Sequence, residues 1–77
     1  MPSAFLLINC KLGSDRDVMN RLSKIPVVIE VYRVYGAYDI IVKVSAETVE
    51  KLQEALKFDL KGLDNVVSTV TLLTKEI

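Results

Sequence analysis

From Ala4 to Lys11 the chain alternates with a period of two. Ala4, Leu6, Ile8 and Cys10 fall on one side, and Phe5, Leu7, Asn9 and Lys11 on the other. That is the pattern of a strand with two apolar faces. Gly13-Ser14 breaks it. Ser14 is expected to cap a helix, with Asp15 and Asp17 favouring its positive N-terminal end. Val18, Leu22 and Ile25, with Met19 beside them, form one helical stripe, which Pro26 should end. Val27 to Val34 is β-branched and reads as a second strand. Gly36-Ala37 predicts a short hairpin turn with glycine first, and Ile40 to Val44 the return strand. Ser45 is the expected cap of a second helix whose inner stripe is Val49, Leu52, Leu56 and Leu60, extended to Leu63. Gly62 and Asp64-Asn65 break that helix. Val66 to Thr74 reads as the last strand, and Lys75-Glu76-Ile77 as a tail.

The order β-α-β-β-α-β pairs two similar halves. A right-handed crossover leaves room for one strand between its two strands. The expected fold class is α+β and ferredoxin-like: a four-stranded antiparallel sheet with two helices on one face, residues 1–77 forming one domain.

Two helices cover one face only. If that face holds Leu6, Ile8, Val42 and Val44, the other carries Phe5, Leu7 and Ile41, and the second strand adds either Val28 and Tyr32 or Ile29 and Val31. A second copy is the simplest cover for so apolar a surface, which predicts a sheet-mediated homodimer. Asn9, Glu30 and Lys43 are polar exceptions on the strands. They lie either at solvated sheet ends or along a polar seam in the interface.

Composition supports the same picture. Apolar residues make up 51% of 77, generous for a chain that buries only about 60% of its unfolded surface. Ten basic residues balance ten acidic ones, so no net field steers the chain to nucleic acid or an anionic membrane. Arg16, Arg21 and Arg33 are scattered, and Lys51, Lys57 and Lys61 are matched by Glu47, Glu50 and Glu54 as a solvated helix face. The longest apolar run, Phe5 to Ile8, is far short of the ~20 residues that span a bilayer, and no basic segment precedes it as in a signal peptide. The single Cys10 points to a reducing compartment and a cytoplasmic setting.

Chemistry is sparse. With no histidine, nothing activates Ser14, Ser45, Ser68 or Cys10 as a nucleophile. No metal-ligand spacing and no phosphate-cradling loop is present, so no enzyme, cofactor or metal is expected. What turn chemistry leaves over is Tyr38 and Asp39, beside Gly36 in the run Val34-Tyr35-Gly36-Ala37-Tyr38-Asp39-Ile40. Such a corner suits a small zwitterion, with backbone N–H groups for its carboxylate and Asp39 for its ammonium. The plainer alternative is that Tyr38 packs on the hairpin and Asp39 stabilises the turn. Ser68, Thr69 and Thr71 offer hydroxyls on the last strand, where β-propensity alone also accounts for them.

The run Val34 to Val44, followed by a helix and then Val66-Val67-Ser68-Thr69-Val70-Thr71-Leu72-Leu73, resembles the effector domain of the Lrp/AsnC transcription regulators. That domain is also called RAM, for regulation of amino-acid metabolism. The resemblance covers essentially the whole chain. It implies dimers packed sheet on sheet, rings of eight or ten subunits, and a free amino acid held where dimers meet. Gly36, Ala37, Tyr38 and Asp39 of the hairpin would line that cleft with the hydroxyls of Ser68, Thr69 and Thr71. The residue before Val66, often glycine in the family, is Asn65, which tolerates left-handed angles. Full regulators begin with a helix-turn-helix, whereas this chain starts at the first effector strand. It therefore resembles a stand-alone effector domain with no direct DNA binding, able to join a full-length Lrp/AsnC regulator in mixed assemblies.

The reading that follows is a non-enzymatic, amino-acid-binding, oligomerising regulatory module. The rivals are a purely structural oligomerisation module without ligand, and a small enzyme of the dimeric ferredoxin-like barrel type, which the missing histidine disfavours.

Overall fold

The computed structural model describes residues 1–58, 60 and 62–74. The elements run β1 (Ser3–Cys10), α1 (Asp15–Leu22), β2 (Val28–Arg33), β3 (Ile40–Ser45), α2 (Val49–Phe58) and β4 (Val66–Leu73). The strands form one antiparallel sheet in the order β2-β3-β1-β4. This is the expected ferredoxin-like arrangement. The tail Lys75-Glu76-Ile77 and the helix-face lysine Lys61 lie outside the described residues.

The register divides the sheet into two grids. On the helix side the rows are Val28-Val44-Ala4-Leu73, Val31-Val42-Leu6-Thr71 and Arg33-Ile40-Ile8-Thr69. On the other side they are Glu30-Lys43-Phe5-Leu72 and Tyr32-Ile41-Leu7-Val70, with Asn9 opposite Ser68. The core lies on the helix side, where Ile8, Ile40, Val42 and Val44 meet Val18 and Leu22 of α1 and Leu52 of α2. Burying each such side chain stabilises the fold by about 1.5–3 kcal/mol.

The two alternatives for β2 both assume strict alternation, and the strand follows neither. The register slips between Val28 and Glu30, leaving Ile29 as an extra residue, 55% exposed. This bulge resets the parity. Val28 and Val31 both pack against the core, while Glu30 and Tyr32 both face the open side.

Local signals placed the helices better than their ends. Ser14 stands at the N-cap of α1, yet its hydroxyl donates to the carbonyl of Lys11 at 2.6 Å and makes no cap bond. The helix stops at Leu22, and Ile25 reaches the core from the following turn. Ser45 does not cap α2; it ends β3 and donates to the Pro2 carbonyl at 3.1 Å. Thr48 takes the cap, its Oγ1 accepting the Lys51 N–H at 3.1 Å. Val49 is 52% exposed, and Ala55 fills the inner stripe in its place.

Candidate functional site

The connection between β2 and β3 is longer than a two-residue turn: it runs from Val34 to Asp39. It is closed by the Val34 N–H donating to the Asp39 carbonyl at 2.9 Å. Gly36 sits at φ +123°, with open space where a Cβ would be. A side chain there would fit but would strain the backbone. Tyr35 is fully exposed and Tyr38 half-buried.

Asp39 fixes this loop to β1. Its N–H donates to the Ile8 carbonyl at 3.0 Å, and its Oδ2 accepts the Cys10 N–H at 2.8 Å. Arg33 stands on the helix-side row at the same end of the sheet. Its Nε meets Oδ2 of Asp15, at the start of α1, at 2.9 Å. Asp15 therefore serves an ion pair across elements as well as the helix N-terminus.

Two hollows open here and share Asp15 and Asp39. One, of about 260 Å³, is lined by Cys10, Lys11, Leu12, Gly13, Asp15 and Asp39. The other, of about 390 Å³, is lined by Asp15, Arg33, Val34, Tyr35 and Asp39. The second sits at the low end of the about 300–1,000 Å³ typical of small-molecule sites, and the first falls just below it. Burial raises the pKa of the Cys10 thiol, and the carboxylates of Asp39 and Asp15 push it the same way. Cys10 is thus a protonated wall and a poor nucleophile.

Of the residues singled out in the sequence, only Asp39 lines these hollows. Gly36, Ala37 and Tyr38 belong to the same loop. Ser68, Thr69 and Thr71 are exposed on β4, two strands away from β3. The three hydroxyls do not share a face: Thr69 and Thr71 lie in helix-side rows, while Ser68 lies on the open side, where its Oγ accepts from Asn9 Nδ2 at 3.4 Å. A single chain therefore does not bring the hairpin and the β4 hydroxyls together. Sequence reasoning missed Asp15 and Arg33. Their types suggested a helix end and a stray cation, and only the folded packing of α1 against β2 brings them together.

Asn65 adopts φ +69°, the left-handed angle expected of it. Its carbonyl accepts the Lys11 N–H at 2.8 Å, holding the turn before β4 against the end of β1. Among the described residues there is no cluster of metal-binding side chains and no helix long and apolar enough to cross a membrane.

Comparison with known proteins identifies the arrangement. The model of the Lrp/AsnC ligand binding domain matches residues 3–76. The HTH-type transcriptional regulator FL11 of Pyrococcus furiosus is 35% identical over 75 residues, covering 96% of this chain and 48% of the regulator. The chain thus spans about half the length of the curated relatives it matches. The crystal structure of FFRP-DM1 superposes with a TM-score of 0.91 at 35% identity, covering 97% of this chain and 100% of that one. The fold is shared with the transcriptional regulator NMB0573 of Neisseria meningitidis, solved in complex with L-Met (TM-score 0.82, 14% identity, 97% of this chain and 50% of that one). The chain belongs to the Lrp/AsnC family, as a ligand binding domain related to transcription regulators.

Proposed function

We propose that the chain is a non-enzymatic module that binds a free amino acid and assembles through its open sheet face. The observation that carries this is the placement of Asp39 within a match to a ligand binding domain. Its Oδ2 is committed to the Cys10 N–H, and its Oδ1 is the oxygen left for a ligand's ammonium. Gly36, Ala37 and Tyr38 present the neighbouring loop. Ser68, Thr69 and Thr71 reach such a ligand only from another copy, so the site is completed on assembly. The bound L-Met of the Neisseria regulator supports an amino acid as the ligand class.

The open face supports a homodimer. Phe5, Leu7 and Ile41 are half-buried on it, while Tyr32 (53%) and Leu72 (50%) remain exposed. The chain measures 35 × 24 × 17 Å, so its broad side can supply the about 800 Å² per partner of an ordinary stable interface. Dimers would join into rings of eight or ten subunits, or into mixed assemblies with a full-length Lrp/AsnC regulator. On this reading the module is a single domain that works in the cytoplasm and does not itself bind DNA. Two of its three arginines are already paired, Arg21 with Asp17 and Asp64, and Arg33 with Asp15.

The test is a thermal-shift screen with the twenty amino acids. A ligand at 100 times its dissociation constant adds about 2.7 kcal/mol of stability. A melting curve that no amino acid moves, together with unchanged assembly of Asp39→Ala, rejects ligand binding. It would favour the second reading, a structural oligomerisation module. The observation on that side is that Asp39 already serves as a backbone staple. Mobility shift on random duplex DNA should show no binding; tight, salt-dependent retardation overturns that part.

A further inference from the structure

The open face carries two charges among its register positions, Glu30 on β2 and Lys43 on β3, which stand opposite each other in the row Glu30-Lys43-Phe5-Leu72. Facing residues of opposite charge on adjacent strands ordinarily pair. These two turn to other neighbours. Oε2 of Glu30 accepts the Tyr32 hydroxyl at 2.9 Å. Nζ of Lys43 lies 5.9 Å from the centroid of the Phe5 ring. Both side chains therefore rest on aromatics of the very surface that a second copy would cover.

Covering that surface removes both charges from water, and a charge buried without a partner is costly. A two-fold interface is self-complementary: if residue i meets residue j, then j meets i. An acid and a base on one face satisfy that condition. Each copy can offer its Lys43 to the other's Glu30 and its Glu30 to the other's Lys43. The rest of the two rows, Phe5, Leu72, Tyr32, Ile41, Leu7 and Val70, is uncharged and adhesive but undiscriminating. We infer that Glu30 and Lys43 form reciprocal ion pairs between copies and select the partner of the sheet-face dimer. They admit a second copy of this chain and reject a face whose charges are reversed. This inference rests on the sheet-face dimer proposed above and adds its specificity.

Charge reversal tests it by mixing. Glu30→Lys and Lys43→Glu are each expected to weaken the homodimer by about tenfold or more, because each sets like charges together twice. Mixed in equal amounts, the two variants should form a heterodimer in preference to either homodimer. The double variant E30K/K43E should dimerise with itself like the wild type. Wild type and double variant, mixed and left to exchange, should sort into homodimers when weighed by native mass spectrometry. Circular dichroism checks that each variant folds, and recovery of the heterodimer from two weakened chains excludes misfolding independently. A statistical mixture of wild type and double variant overturns the inference, because the pair would then close within each chain. Single variants that dimerise as tightly as the wild type overturn it as well. Both results leave the dimer standing. A wild type that is monomeric at micromolar concentration removes the dimer itself, and the two failures are thereby distinguished.

Discussion

Asp39 and Cys10 are 29 positions apart, and the carboxylate of the first accepts the backbone N–H of the second at 2.8 Å. The bond ties the β2–β3 loop to the end of β1 at the point where the strand leaves the sheet. It gives Asp39 a structural duty that any ligand must share.

Asp39→Ala is therefore expected to destabilise the fold by about 1 kcal/mol. In a domain of this size that lowers the melting temperature by about 4–8 °C. Asp39→Asn keeps an acceptor oxygen and should lose less. Thermal unfolding by circular dichroism measures both. An Asp39→Ala chain that melts with the wild type shows that water replaces the carboxylate without cost.

The Cys10 thiol should alkylate slowly at pH 8. Burial and the carboxylates of Asp39 and Asp15 raise its pKa and so reduce the reactive thiolate. Asp39→Asn removes one of those charges and should speed the reaction with iodoacetamide. The folded thiol holds its proton more tightly than the unfolded one, so this contribution to stability is complete below the unfolded value. It declines as pH rises toward the folded one.

Tyr32 should ionise above its ordinary value of 10.0, because its hydroxyl donates to Glu30 and the glutamate's charge opposes a phenolate. Ultraviolet absorbance during an alkaline titration follows this directly. Glu30→Gln is expected to bring that titration back down. Three tyrosines that ionise together, unchanged by the substitution, would contradict the Tyr32–Glu30 bond.

Thr48→Ala is expected to cost about 1 kcal/mol, the usual loss for an N-cap. Ser45→Ala and Ser14→Ala remove hydroxyls that donate to carbonyls and cap nothing. Urea denaturation of the three variants should rank Thr48→Ala as the most destabilised. The reverse ranking would restore Ser45 as the cap.

Leu7→Lys places a charge in the middle of the open face, within the row Tyr32-Ile41-Leu7-Val70. It should leave a folded chain that sediments as a monomer, against the dimer expected of the wild type. Unchanged sedimentation would move the interface elsewhere.

Most of this architecture was legible in the residues. The strict alternation of Ala4, Leu6 and Ile8 against Phe5 and Leu7 set β1 and its two faces, and Val18 with Leu22 set the inner side of α1. The helix ends were not, because Ser14, Ser45 and Thr48 are equivalent caps by type. Which hydroxyl meets an orphan N–H depends on where the strand before it ends. The site was legible only in its hairpin. Asp39 stood out as an acid near a glycine, while Asp15 and Arg33 are 18 positions apart in sequence and become neighbours only where the start of α1 meets the end of β2. The hydroxyls Ser68 and Thr69 look equivalent in sequence. Adjacent residues of a strand point to opposite sides, so a single chain cannot present them to one ligand.

The bulge at Ile29 makes β2 a strand whose reading frame changes partway along. Before it and after it, the inward residues occupy positions of opposite parity. Losing that one residue would leave the faces as they are: Val28 and Val31 would stand two apart on the helix side with Glu30 between them on the open side, still opposite Val44, Val42 and Lys43. The bulge therefore absorbs one residue of extra length without turning the strand over. If the same sequence paired with strict alternation instead, Val28 and Val31 would fall on opposite faces, because a slip of one turns side chains over. The unpaired Ile29 is thus the joint that keeps both valines in the core and leaves the open face to Glu30 and Tyr32.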